Sequence, residues 1–137
     1  MDFMPTDVFS SQCPSRDVLD LIADKWSLLI MYSLAQKGTM RYGKLQRQIQ
    51  GISQKMLTQT LRELERNGFI SRTVYEVVPP QVEYQLTELG SSLGSGIAGL
   101  CTWSETNMPN VLKAQQDYDQ QHTSPPQISQ RQFQSNP

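Results

Sequence analysis

Lys55, Gln59, Arg62 and Arg66 recur at i, i+4, i+7 and i+11, a spacing that sets all four along one side of an α-helix. Cations and an amide in such a row can hydrogen-bond phosphate oxygens and the edges of bases, the chemistry of a helix lying in a DNA groove. Cys13 stands directly before Pro14, and proline suits the first helical position. A thiol there lies near unpaired N–H groups and the positive end of the helix dipole, which favour the thiolate, and Arg16 adds a cation. The same position equally suits a small residue packed beneath the helix. Catalysis is poorly provided for. The single histidine, His122, lies in a polar C-terminal stretch, so no triad can be assembled. Asp17, Asp20 and Asp24 have no histidine or thiol beside them and read as a solvated acidic face rather than a metal site. Neither an enzymatic activity nor a cofactor is expected.

These groups must be positioned by a chain of 137 residues, which is one domain's worth. Hydrophobic content of 37% with a mean hydropathy of −0.48 supports a modest core and predicts that part of the chain is unfolded. The longest apolar run, Leu28-Leu29-Ile30-Met31-Tyr32, is far short of the ~20 residues needed to span a bilayer. The opening residues lack the basic and apolar regions of a signal peptide, so a cytoplasmic protein is expected, and two cysteines there do not make a disulfide framework. Charge is unevenly spread. From Lys37 to Arg72 eight basic residues face only Glu63 and Glu65, whereas the rest of the chain is acidic enough to bring the total to −1. The basic middle is the electrostatic footprint of a nucleic-acid binder.

Periodicity predicts a first helix near 14–23, carried by Val18, Leu19 and Ile22, and a second from Trp26 to about Lys37-Gly38 that is apolar around its circumference. Tyr42, Leu45 and Ile49 mark a short third helix ending at Gly51. Ser53 caps a fourth, about 53–67, whose buried stripe is Leu57, Leu61 and Leu64 and which stops at Asn67-Gly68. Phe69–Tyr75 and Val82–Leu86 read as two strands of a hairpin, joined by an exposed loop through Pro79-Pro80. Thr87-Glu88 opens a last helix with Gly90, Gly94, Gly96 and Gly99 inside it. Each interior glycine costs ~1 kcal/mol relative to alanine, so this helix is expected to be held by close packing at a subunit interface. After Ala114 the chain turns rich in glutamine and proline and should be disordered. The expected organisation is an arm over 1–12, a folded domain over 13–113 and a disordered tail over 114–137. Trp26, Tyr42, Tyr75, Tyr84 and Trp103 suit either the core or the lining of an effector pocket.

The order helix, helix, helix, turn, helix, strand, loop, strand is that of a mainly α winged helix-turn-helix with a small β-hairpin. Three blocks carry a closer likeness: Asp24-Lys25-Trp26-Ser27-Leu28-Leu29-Ile30; Gly51 to Glu65, which contains Ile52-Ser53-Gln54-Lys55-Met56-Leu57-Thr58-Gln59-Thr60-Leu61; and Val78-Pro79-Pro80-Gln81-Val82-Glu83-Tyr84-Gln85-Leu86-Thr87. From about Cys13 to about Trp103 the chain resembles the HxlR-type bacterial transcriptional regulators, relatives of the MarR group. The resemblance implies a homodimer built from the terminal helices, with each fourth helix in a major groove of double-stranded DNA and each wing on the adjacent backbone. Carried onto this chain, it makes Ser53, Gln54, Lys55, Thr58 and Gln59 base or phosphate contacts, while Arg62 and Arg66 suit phosphates. At the wing, where family members often carry a cation, this chain has Gln81, an amide able to bond phosphate or a minor-groove edge, and Arg72 at the hairpin base supplies a cation nearby. The resemblance also implies a sensing role for Cys13 toward oxidants or electrophiles, with Cys101 as a candidate resolving thiol or simply a packed residue. A repressor switched at Cys13 is the leading expectation. A regulator answering to a non-covalent small-molecule effector, and a winged-helix interaction module without DNA binding, stay open beside it.

Overall fold

In a computed structural model, which describes residues 7–122, the chain forms α1 (Pro14–Ile22), α2 (Lys25–Lys37), β1 (Met40–Arg41), α3 (Tyr42–Gln48), α4 (Gln54–Arg66), β2 (Ile70–Tyr75), β3 (Gln81–Leu86) and α5 (Glu88–His122). Most boundaries fall where cap chemistry puts them. The backbone N–H groups of Trp26 and Ser27 donate to the Asp24 carboxylate at the start of α2, so one of the three aspartates of the supposed acidic face is an N-cap. Gly68, at φ +83°, takes the left-handed conformation that closes α4.

The expected hairpin is one part of a three-stranded antiparallel sheet of order β1-β3-β2. β2 and β3 pair from Ile70↔Leu86 to Tyr75↔Gln81. β1 adds Met40↔Tyr84 and Arg41↔Glu83 on the other edge of β3, and so ties the entrance of α3 to the wing. Ile30, Met31 and Leu34 of α2, Leu45 of α3, Leu57, Leu61 and Leu64 of α4, and Ile70 of β2 are buried together with Ile97 of α5. The helix-turn-helix thus sits on α2 and the sheet, held by leucines whose spacing was legible from sequence.

The glycines of α5 do two different things. A Cβ on Gly90 would lie 1.9 Å from the Phe69 carbonyl oxygen, and one on Gly94 would touch Leu86 and Ala35 at 3.5 and 3.6 Å. Gly90 thus lets the start of α5 close down on the Phe69 carbonyl of its own chain, while a methyl at Gly94 would make ordinary contact. Gly96 and Gly99 have open space about them.

The chain divides after Leu100 into two units, and α5 runs through both. Disorder from Ala114 onward is corrected as far as His122, because 115–122 continue the helix. Gln, half of these eight residues, is a good helix former. Two i,i+4 pairs support the segment, Lys113–Asp117 at 3.1 Å and a stack of Tyr118 on His122 with ring centroids 3.9 Å apart. Residues 123–137 of the expected tail, and 1–6 of the expected arm, lie outside the described residues. In the second unit Trp103, Met108, Leu112 and Tyr118 are exposed. Among the described residues no helix is long and apolar enough to cross a membrane.

Candidate nucleic-acid interface

α4 presents its predicted row outward. Gln54, Lys55, Thr58, Gln59, Arg62, Glu63 and Arg66 line one broad open surface, while Leu57, Thr60, Leu61 and Leu64 face inward. Gln54, Lys55, Gln59, Arg62 and Arg66 are exposed. Ser53 is the N-cap: its Oγ accepts from the Met56 N–H at 3.0 Å. One lone-pair direction is therefore occupied, and its O–H remains a donor toward phosphate or base.

Thr58 is half-buried and its hydroxyl lies 2.9 Å from the Tyr42 hydroxyl. The Tyr42 hydroxyl donates in turn to the Gln54 carbonyl at 3.0 Å. With those two contacts Tyr42 is the donor to Gln54 and the acceptor from Thr58, so the Thr58 proton points toward α3. Tyr42, at the first position of α3, pins the first turn of α4 and fixes the angle at which the row above is offered. The spacing of the sequence marks Tyr42 as a member of α3 and leaves it either core or pocket lining. Its positioning role has no signature in spacing, because it depends on a hydroxyl crossing between two helices.

Arg72 of β2 lies on the sheet face next to α4, with its Nε 3.6 Å from Glu65 Oε1. Thr58, Leu61, Arg62, Glu65, Arg72 and Tyr84 enclose a small cleft of about 230 Å³ between α4 and the sheet. Burial raises the Tyr84 phenol above its ordinary pKa, so it stays a neutral donor beside two guanidinium groups. Glu65 is the residue here that sequence reading passed over. It sits off the cationic line yet orients Arg72.

The wing tip differs in character. Residues 76–80 are exposed, Val78 completely so, and the loop carries one charge, on Glu76. Gln81 is the first residue of β3, half-buried and opposite Tyr75. Arg41, at the far edge of the sheet, is 3.8 Å from Glu83, and Glu83 also holds the Tyr75 phenol and raises its pKa. The aromatic groups do not share one fate: Tyr42, Tyr84 and Trp26 are half-buried, Tyr75 and Trp103 exposed.

Cys13 occupies the N-cap position of α1 with an extended backbone and does not cap it through its side chain. It is 2% exposed. Arg16, expected beside the thiol, spends its guanidinium on the carbonyls of Val8 and Phe9 at 3.1 and 3.0 Å, which folds residues 7–12 against the start of α1. Cys101 belongs to the second unit, where burial, and after it Glu105, raises its thiol pKa. That disfavours the thiolate a resolving cysteine needs.

Comparison with known proteins agrees with this geometry. A family model described as HxlR-like helix-turn-helix matches residues 21–112. The HTH-type transcriptional regulator YtfH of Escherichia coli is 48% identical over 105 residues, covering 77% of this chain and 82% of YtfH. A solved structure of the transcriptional regulator ytfH from Salmonella typhimurium superposes with a TM-score of 0.76 at 44% identity, covering 80% of this chain and 97% of that one. The redox regulator HypR in its reduced form superposes with a TM-score of 0.66 at 40% identity, over 74% of this chain and 98% of HypR.

Proposed function

The chain belongs to the HxlR-like helix-turn-helix family, a family of transcriptional regulators and not of enzymes, and from that premise we propose that it is a sequence-specific, homodimeric repressor whose grip on DNA is set by the state of Cys13. The observation that carries the DNA reading is the outward row of α4, cationic and amide-bearing along its length, on a helix locked by three buried leucines and by Tyr42. In this reading Lys55 and Gln59 meet base edges, Gln54 and Ser53 the start of the contact, and Arg62, Arg66 and Arg72 phosphates. Gln81 adds a hydrogen bond from the wing. Two copies associate through exposed apolar residues of α1 and of α5 and present two α4 helices about 34–36 Å apart, one DNA turn. The protein acts in the cytoplasm, where the DNA is.

The switch rests on burial. Cys13 is covered, with the arm at 7–12 tied back by Arg16, so an oxygen or an alkyl group added to its sulfur has no room unless the arm and α1 move. α1 also carries the exposed Val18 and Leu19, so its movement alters the subunit contact and with it the α4 spacing. HypR, a redox regulator by name, lends this reading support through its likeness. The reduced protein is expected to bind a duplex from upstream of its own gene more tightly than a scrambled one, and peroxide or diamide treatment to change that affinity. The Cys13→Ser variant should bind and ignore the oxidant. An unaltered oxidant response in Cys13→Ser removes Cys13 as the switch, and a wild type indifferent to oxidant leaves a non-covalent effector as the signal.

One observation favours a second reading, a winged-helix interaction module without DNA binding. The wing tip, Glu76-Val77-Val78-Pro79-Pro80, is exposed, apolar and without a cation. The two readings part on salt, since only the DNA binder loses affinity steeply as salt rises.

A further inference from the structure

A second group of cations lies apart from α4. Lys37 is the last residue of α2, Arg41 is in β1, and Lys44 and Arg47 are in α3. They line two adjoining open clefts. One, of about 350 Å³, is bounded by Lys37, Thr39, Met40, Lys44, Arg47 and Gln48. The other, of about 480 Å³, shares Thr39, Lys44 and Arg47 and adds Arg41, Gly43 and Glu83. Glu83 is the one carboxylate in either lining, and it pairs with Arg41. Among the described residues no ion pair forms on Lys37, Lys44 or Arg47.

Three like charges converging without a counter-charge repel one another, a cost of the folded state that a bound anion removes. The Arg47 guanidinium reaches back over Gly43, where a Cβ would stand 3.4 Å from it. Thr39 and Gln48 add polar groups to the walls beside the cations, which suits an oxyanion. Tyr42 marks the side of α3 that meets α4, and the helical spacing turns Lys44 and Arg47 away from it. The clefts also share no lining residue with the α4 surface.

We propose that the α2–β1–α3 corner is a separate binding site for multiply charged phosphate, with Lys37, Lys44 and Arg47 as its cations. Phosphate of this kind has two sources, the backbone of DNA flanking the segment that α4 reads, and a free phosphorylated ligand. Only the first source rests on the DNA-binding reading above.

The test uses the full chain, the joint variant Lys37→Gln, Lys44→Gln, Arg47→Gln, and Arg47→Lys as a variant that keeps the charge, with circular dichroism melting to establish folding of each. Inorganic triphosphate is titrated without DNA while the backbone amide resonances of residues 37–48 are followed. Upstream DNA is titrated in two lengths, one trimmed to the protected footprint and one with added flanks, across a series of salt concentrations. In the wild type, triphosphate should shift the resonances of 37–48, the joint variant should lose that response, and Arg47→Lys should keep it. If flanking DNA is the occupant, the joint variant also shows a salt slope shallower by roughly two to three on the long duplex, at about 0.9 per phosphate contact, with the trimmed duplex unaffected. Loss of the triphosphate response with both slopes unchanged assigns the site to a free phosphorylated ligand. A folded joint variant that matches the wild type in triphosphate response and in both slopes overturns the proposal. A wild type that ignores every duplex counts against the regulator reading, and the triphosphate titration still decides this site.

Discussion

The two parts of this molecule best placed to meet DNA are built on opposite plans. α4 exposes Lys55, Gln59, Arg62 and Arg66 in a row and roots them in Leu57, Leu61 and Leu64. The wing tip exposes valines and prolines around a lone glutamate, and its nearest cations, Arg72 and Arg41, are each paired to a carboxylate, Glu65 and Glu83. Ion pairs on an exposed surface are worth little in stability, but they fix where a guanidinium points. Between these two parts, charge for phosphate therefore comes from the helix and shape from the wing, and the wing should add little to the salt dependence of binding.

The largest test of this contrast removes the helix's footing. Leu57 is fully buried, so Leu57→Ala should cost about 2–5 kcal/mol of stability, read as a lower urea midpoint, and DNA binding should fall with it. A variant as stable as the wild type would mean that α4 is held from elsewhere. A smaller effect is expected of Tyr42→Phe, which deletes the hydroxyl that joins Gln54 and Thr58. Stability should drop by about 1 kcal/mol, and selectivity between upstream and scrambled duplexes should narrow more than the salt slope changes, because the variant alters the angle of α4 and not its charge. Equal loss on both duplexes would reduce Tyr42 to a packing residue. The smallest effect is expected at the wing. Gln81→Lys should steepen the salt slope by roughly one contact's worth, at about 0.9, with stability unchanged within about 0.5 kcal/mol. No change in slope would place Gln81 away from the backbone.

Much of this was legible in the chain because the signals are local. Ser53 as a cap, Gly38 and Gly68 as terminators, and the leucine spacing of α4 each act within a turn or two of helix, so sequence order reports them; Asp24, read with Asp17 and Asp20 as an acidic face, instead caps α2. β1 was not legible, since two residues carry no period and the strand exists only because β3 offers an edge. The helix from Gln115 to His122 was masked by composition: few apolar groups suggested disorder, whereas helical continuity and i,i+4 pairs keep it regular. Why Gly90 in particular must lack a side chain was not legible either, since it depends on the Phe69 carbonyl brought against it from β2's entrance. At the interface, residue types identified the exposed row, but which hydroxyls are already engaged, Ser53 as a cap and Thr58 toward Tyr42, is a matter of distances between elements. The burial of Cys13 and the diversion of Arg16 to the arm belong to the same class.

The most direct measurement is fluorescence anisotropy of the reduced protein on the upstream duplex and on a scrambled one, at two salt concentrations, for the wild type and for Lys55→Ala combined with Arg62→Ala. The wild type should prefer the upstream duplex and weaken as salt rises, and the double variant should lose both the preference and nearly two contacts' worth of salt slope, at about 0.9 each. A double variant that keeps the wild-type affinity and slope would contradict the assignment of α4 as the reading helix.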